Sequence, residues 1–223
     1  LLHKEKEILK KQQAMILSAL NVDFPEFFEK LACYADSIKP HMRLPLINMV
    51  LPALRGLSEE QYDRFKATLH ELIQADNKID LFEYCLYRIV IRHLEPVFRK
   101  QKPSPIKYYA VQGIREEVAE LMSHIALLGH ADLKTAECAF ENAAAVFKQK
   151  NIVMSFVSAQ GFNLSRVDQI LKVTALAGPD LKKLIITACA RCVLFDKQIT
   201  TDEYELLRAI ADHMGCPMPL VAA

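Results

Sequence analysis

Residues 76–88 read Asp-Asn-Lys-Ile-Asp-Leu-Phe-Glu-Tyr-Cys-Leu-Tyr-Arg, and residues 196–208 read Asp-Lys-Gln-Ile-Thr-Thr-Asp-Glu-Tyr-Glu-Leu-Leu-Arg. Both fit the pattern Asp-x-x-Ile-[Asp/Thr]-x-x-Glu-Tyr-x-Leu-x-Arg. In each copy a residue with a short polar side chain, Asp80 or Thr200, stands three positions before a glutamate, Glu83 or Glu203. This is capping-box spacing, in which each side chain satisfies a backbone N–H of the other at a helix start. The chain before each copy carries apolar residues at helical period. Each copy is therefore a turn between two helices, and the spacing predicts an all-α fold with a duplicated helix-turn-helix.

Working outward, Ser58-Glu-Glu-Gln61 is a third capping box. It opens a helix with Tyr62, Phe65, Leu69, Leu72 and Ile73 on one face, ending near Asp76. Ile79 is the expected apolar plug of the first turn. In the second unit the first helix starts after Gly178-Pro179, with proline near the first helical position. Its second helix stops at Gly215, ahead of Cys216-Pro217.

Periodicity places further helices along the chain. Residues 1–20 have a lysine-rich outer side, and Asp23 caps a helix that turns Phe27, Phe28 and Leu31 inward. Residues 42–54 are apolar, and Pro52 is expected to kink or shorten their helix. Residues 115–128 bury Val118, Leu121, Ile125 and Leu128 and stop at Gly129. Asp132 caps a helix carrying Ala136, Phe140, Ala144 and Phe147; Asn163 caps one carrying Val167, Ile170 and Leu171. Residues 151–162 fit neither period. The expectation is a multi-helix assembly of about ten helices without a strand. Its parts are 1–98 with the first unit, a basic Pro-containing loop at 99–113, and 114–223 with the second unit, in one compact domain. Residues 99–107 hold two prolines and four basic residues, which end the preceding helix. They read as a solvated loop, or as a patch that meets acidic lipid headgroups or a partner.

The 223 residues suffice for a core without disulfides or metal, and 52% hydrophobic with 25% charged residues is ordinary for a globular chain. The net charge of +1 gives no electrostatic reason to expect nucleic acid as a partner. Six cysteines are scattered among apolar neighbours and read as buried, reduced thiols. No apolar run is long enough to span a bilayer, and the first residues do not form a signal peptide. A chain beginning at Leu1 is expected to be a fragment of a longer protein or one processed at its N-terminus.

The search for catalytic chemistry returns near-matches only. His70-Glu71-Leu-Ile-Gln74 approaches the zinc-peptidase motif His-Glu-x-x-His, but Gln74 replaces the second imidazole, and one histidine does not hold the metal. Cys189-Ala-Arg-Cys192 lacks the second pair of ligands a structural zinc needs, and it falls mid-helix. The turn from Asp76 to Asp80 is too short for an EF-hand. Two uses are open for the turn carboxylates. Asp76, Glu83, Asp196 and Glu203 converge on a calcium or magnesium ion if the two units pack face to face, or each acid serves its own turn.

The doubled Asp-x-x-Ile-x-x-x-Glu pattern resembles the TerB-like (tellurite-resistance) helical fold. There a duplicated acidic helix-turn-helix goes with proposed cation binding, so the resemblance implies a divalent-cation-binding stress-response module as one reading. Arg43-Leu-Pro-Leu-Ile-Asn-Met-Val-Leu-Pro-Ala-Leu-Arg-Gly-Leu-Ser-Glu-Glu-Gln-Tyr-Asp-Arg-Phe, then Ala75-Asp-Asn-Lys-Ile-Asp-Leu-Phe-Glu-Tyr, is similar to the C-terminal region of bacterial membrane-bound zinc metallopeptidases related to HtpX. So is Glu205-Leu-Leu-Arg-Ala-Ile-Ala-Asp-His-Met-Gly-Cys-Pro-Met-Pro. This second resemblance implies a noncatalytic regulatory or interaction domain on the cytoplasmic side of an inner membrane. Its partners would be its own peptidase and membrane domains and a protein partner or substrate. It carries no catalytic residue onto this chain, and zinc would belong to the peptidase domain alone.

Overall fold

The computed structural model describes residues 5–20, 25–75, 81–99, 105–148, 151–158 and 164–218. Among these residues the chain is all-α, with ten α-helices, and the only β contact is an isolated bridge between Tyr108 and Ala177. It divides into two compact units, Leu1–Lys102 and Pro103–Ala223.

The first unit holds α1 (Lys6–Leu20), α2 (Pro25–Ser37), a 3-10 turn (Pro40–Met42), α3 (Arg43–Leu54), α4 (Glu59–Ile73) and α5 (Leu81–Arg99). α4 packs on α1 and α5, and α3 packs on α5. The Ser58–Gln61 box is formed in both directions, with Gln61 N–H donating to Ser58 Oγ at 3.2 Å and Ser58 N–H to Gln61 Oε1 at 2.8 Å. The expected face of α4 turns inward: Tyr62, Leu72 and Ile73 are buried, and Phe65 and Leu69 lie half-buried against a cluster of Leu51, Val90, Leu94 and Phe98. Tyr62 stacks on Phe98 at 4.4 Å between ring centroids.

Pro52 lies inside α3, two residues before its end at Leu54, where its missing N–H removes one intrahelical bond. One expectation fails here. Leu31, expected inward, is 48% exposed on α2. Helical period identifies an apolar face but not whether a neighbour covers it. The turn at 76–80, with Asp76, Ile79 and Asp80, and the caps at Asp23 and Asn163 lie outside the described residues.

The second unit holds a 3-10 turn (Val111–Ile114), α6 (Arg115–Gly129), α7 (Leu133–Lys148), α8 (Leu164–Ala175), α9 (Pro179–Val193) and α10 (Thr201–Met214). α6, α7 and α9 pack on one another, α8 lies against α6 and α10, and α10 lies against α9. Small buried residues on α7, Ala136, Ala139 and Ala143, permit that approach, with Phe140 and Phe147 filling the space between. Pro179 occupies the first helical turn after Gly178, as the sequence predicts. Gly215 ends α10 in the left-handed region at φ 66°, and Cys216 N–H donates back to Ala211 O at 2.9 Å, a Schellman-type stop that favours glycine. Asp132 Oδ2 accepts from Thr135 N–H at 2.9 Å, so it opens α7 as predicted. Leu128 departs from expectation: it is 58% exposed, while Val118, Leu121 and Ile125 are buried.

Candidate functional site

The repeated turn is fully described in the second unit. α9 ends at Val193, and α10 starts after Thr200, whose backbone is extended. Glu203 Oε2 accepts from Thr200 N–H at 2.9 Å and from Thr200 Oγ at 2.7 Å, while Glu203 N–H donates to Thr200 Oγ at 3.2 Å. The capping box read from spacing is thus formed. Its glutamate is only 8% exposed, an unusual depth for a surface cap. The other carboxylate oxygen, Oε1, faces Gly129 at the end of α6, where a β-carbon would collide with it. Asp196 is exposed and accepts from Gln198 N–H at 2.9 Å, closing its own turn.

Of the four carboxylates singled out by the repeat, Asp196 and Glu203 engage their own turn. Glu83 lies half-buried in the first turn of α5, and Asp76 falls outside the described residues. Among the described residues no group of three or more histidine, cysteine, aspartate or glutamate side chains is placed to hold a metal ion.

Glu203 also acts on Cys192. Burial first, and the Glu203 charge second, push that thiol up to about 12. Cys192 therefore stays protonated at neutral pH; its Sγ–H points to Met122 O at 3.7 Å. Cys189 and Cys192 are both buried in the core of α9, as the mid-helix position implies. Cys85 is buried too, but Cys33 and Cys138 are exposed, so the expectation of buried thiols holds for only part of the set. His70 lies half-buried, edge-on to Tyr87 with centroids 5.9 Å apart.

Three polar arrangements escaped the sequence reading. In the first unit Tyr62 donates to Glu95 Oε2, which also receives Lys66 Nζ at 2.9 Å, and Arg99 pairs with Asp63. Burial alone would raise the Glu95 carboxyl. The hydrogen bonds from Tyr62 and Lys66, with the charges of Lys66 and Arg99, outweigh that and hold it below its ordinary range. The Tyr62 hydroxyl is pushed well up, by burial and then by its bond to Glu95. In the second unit Arg166 of α8 forks onto Glu120 of α6, Nε donating to Oε2 at 2.6 Å, with Glu117 3.8 Å from the guanidinium. On α10, Glu205 is 1% exposed; Oε1 accepts from Arg208 at 2.9 Å and Oε2 has no partner among the described residues. The readable signal for the first of these is the i,i+4 spacing of Tyr62 with Lys66 on α4 and of Glu95 with Arg99 on α5. Nothing local joins the two helices.

These arrangements fix helices to one another and to their turns. Compared with protein-family models, with curated proteins and with solved structures, the chain matches none. Among the described residues no helix is long and apolar enough to cross a membrane.

Proposed function

We propose that this chain is a noncatalytic regulatory or protein-interaction domain of a membrane-bound zinc metallopeptidase. The observation that carries the reading is the run at residues 43–65, with its continuation at 75–84 and 205–219, which is similar to the C-terminal region of peptidases related to HtpX. The polar chemistry described above supports it. Asp196, Glu203, Glu95 and Glu120 each hold a turn or a helix pair, and Cys192 is a protonated core thiol. In this reading zinc and the catalytic glutamate belong to another part of the parent protein, and the present chain offers surface rather than chemistry. The experiment is a casein and peptide cleavage assay on the isolated chain, with and without zinc. No cleavage is expected. Zinc-dependent cleavage that disappears in Glu71→Gln would overturn the reading and restore the near-match at His70.

A further inference from the structure

Beyond Arg43, α3 is apolar along most of its length. Between Arg43 and Leu54 its single uncharged polar residue is Asn48. Leu44 and Leu51 are buried, and Ile47 and Leu54 lie half-buried against the cluster built on α4 and α5. The outer side is mostly apolar as well: Pro45, Pro52 and Ala53 are exposed beside Asn48, Met49 is 76% exposed and Val50 48%. A helix hydrophobic all round ordinarily lies inside a core or against a second apolar phase. Here one side has neither.

The neighbourhood repeats the anomaly. Among the described residues, five of the twelve exposed large hydrophobics, Leu31, Tyr34, Met42, Met49 and Val50, fall within residues 31–50. The charge there has one sign. From Ser37 to Ser58 the sequence contains no aspartate or glutamate, while Lys39, His41, Arg43 and Arg55 are all exposed. Within this stretch the exposed charged side chains are all cationic, with Asp36 before it and Glu59 and Glu60 after it; an apolar face beside Lys39, Arg43 and Arg55 matches the boundary of an anionic bilayer, apolar beneath and negative at the headgroups.

We propose that the outer face of α3 docks on an anionic lipid surface, Met49 and Val50 entering the acyl boundary while Lys39, Arg43 and Arg55 meet headgroup phosphates. A lipid fits this face better than a protein does. Protein interfaces concentrate their energy in aromatic and arginine anchors seated in pockets; α3 carries no aromatic residue, and its one arginine, Arg43, lies over the Phe82 ring at 5.7 Å. A convex face of methionine, valine, proline and alanine needs an adaptable apolar phase, not a shaped one. The proposal rests on exposure and charge alone, independently of the peptidase reading.

The test is cosedimentation of the chain with vesicles of phosphatidylcholine, with and without phosphatidylglycerol, at low and high salt. The wild-type chain is expected to sediment with the anionic vesicles, less so in high salt, and not with phosphatidylcholine alone. Met49→Glu with Val50→Glu is expected to weaken binding about tenfold or more, since it places charge at the insertion point. Both side chains are exposed, so an unchanged circular dichroism spectrum is expected of that variant. Val153→Glu, at a valine in the other unit as exposed as Met49, should bind as wild type. Failure to sediment with anionic vesicles would overturn the proposal, as would equal binding by the Met49/Val50 variant. A dimer in sedimentation velocity that this variant makes monomeric, without vesicle binding, would assign the face to protein contact instead.

Discussion

Glu203, at the start of α10, fills the space that a β-carbon on Gly129, at the end of α6, would occupy. The carboxylate is not free to swing away, because its Oε2 accepts two bonds from Thr200. One residue thus joins a helix start to a helix end, and its charge reaches the Cys192 thiol.

Gly129→Ala is accordingly expected to destabilise the chain, by about 1–3 kcal/mol, as overpacking does in a well-filled core. Urea unfolding of Gly129→Ala, Glu203→Ala and the double variant checks this. The double variant should lose clearly less than the sum of the singles, because Glu203→Ala removes the atom that the new methyl meets. Additive losses would contradict the contact.

Thr200→Ala is expected to cost about 0.5–2 kcal/mol, the range for a lost N-cap. It leaves Glu203 buried with only one of its two Thr200 donors, so the upper part of that range is expected. Ser58→Ala, at an exposed box, is expected nearer the lower part. Thermal or urea melts of the two variants side by side give the comparison, and an equal or reversed order would show that the depth of Glu203 does not matter.

Much of this was legible in the sequence, and the reason is local. Ser58 with Gln61, Thr200 with Glu203, Pro179 and Gly215 act within a few positions of themselves, so spacing alone specifies their partners. Leu31 and Leu128 lie on apolar stripes yet are exposed, because period reveals a stripe and not its cover. The contact of Glu203 with Gly129 and the bond of Tyr62 to Glu95 join residues far apart in the chain, and no periodicity carries that information.

The Glu95 carboxyl gives a pH dependence whose sign follows from its shift. Its folded value lies below the ordinary one of about 4.5, so across the interval between them the folded chain binds fewer protons than the unfolded chain. Stability from this group is complete above the ordinary value and is lost as pH falls through the folded value. Asp132, lowered by the Thr135 backbone N–H, contributes with the same sign. Urea midpoints measured as pH falls below about 4.5 should decline more gently in Glu95→Gln than in wild type. A steeper decline in the variant would contradict the assignment.

Metal ions test the turn carboxylates directly. With Asp196 and Glu203 engaged by their own turn, calcium or magnesium at millimolar concentration is expected to leave the melting temperature unchanged. Any ion that binds the folded chain preferentially would raise it. A rise in wild type that disappears in Asp76→Asn with Asp196→Asn would instead establish a cation site on the repeated turns.

The most direct measurement of the proposed role uses the longer peptidase that the proposal implies as parent, compared with a version lacking these 223 residues. Zinc content and cleavage of a short peptide would be read beside degradation of a folded protein substrate. The account predicts that zinc and peptide cleavage persist while the rate or selectivity toward the protein substrate changes. Loss of bound zinc and of peptide cleavage in a folded truncated protein, or a parent without a His-Glu-x-x-His motif, would contradict it.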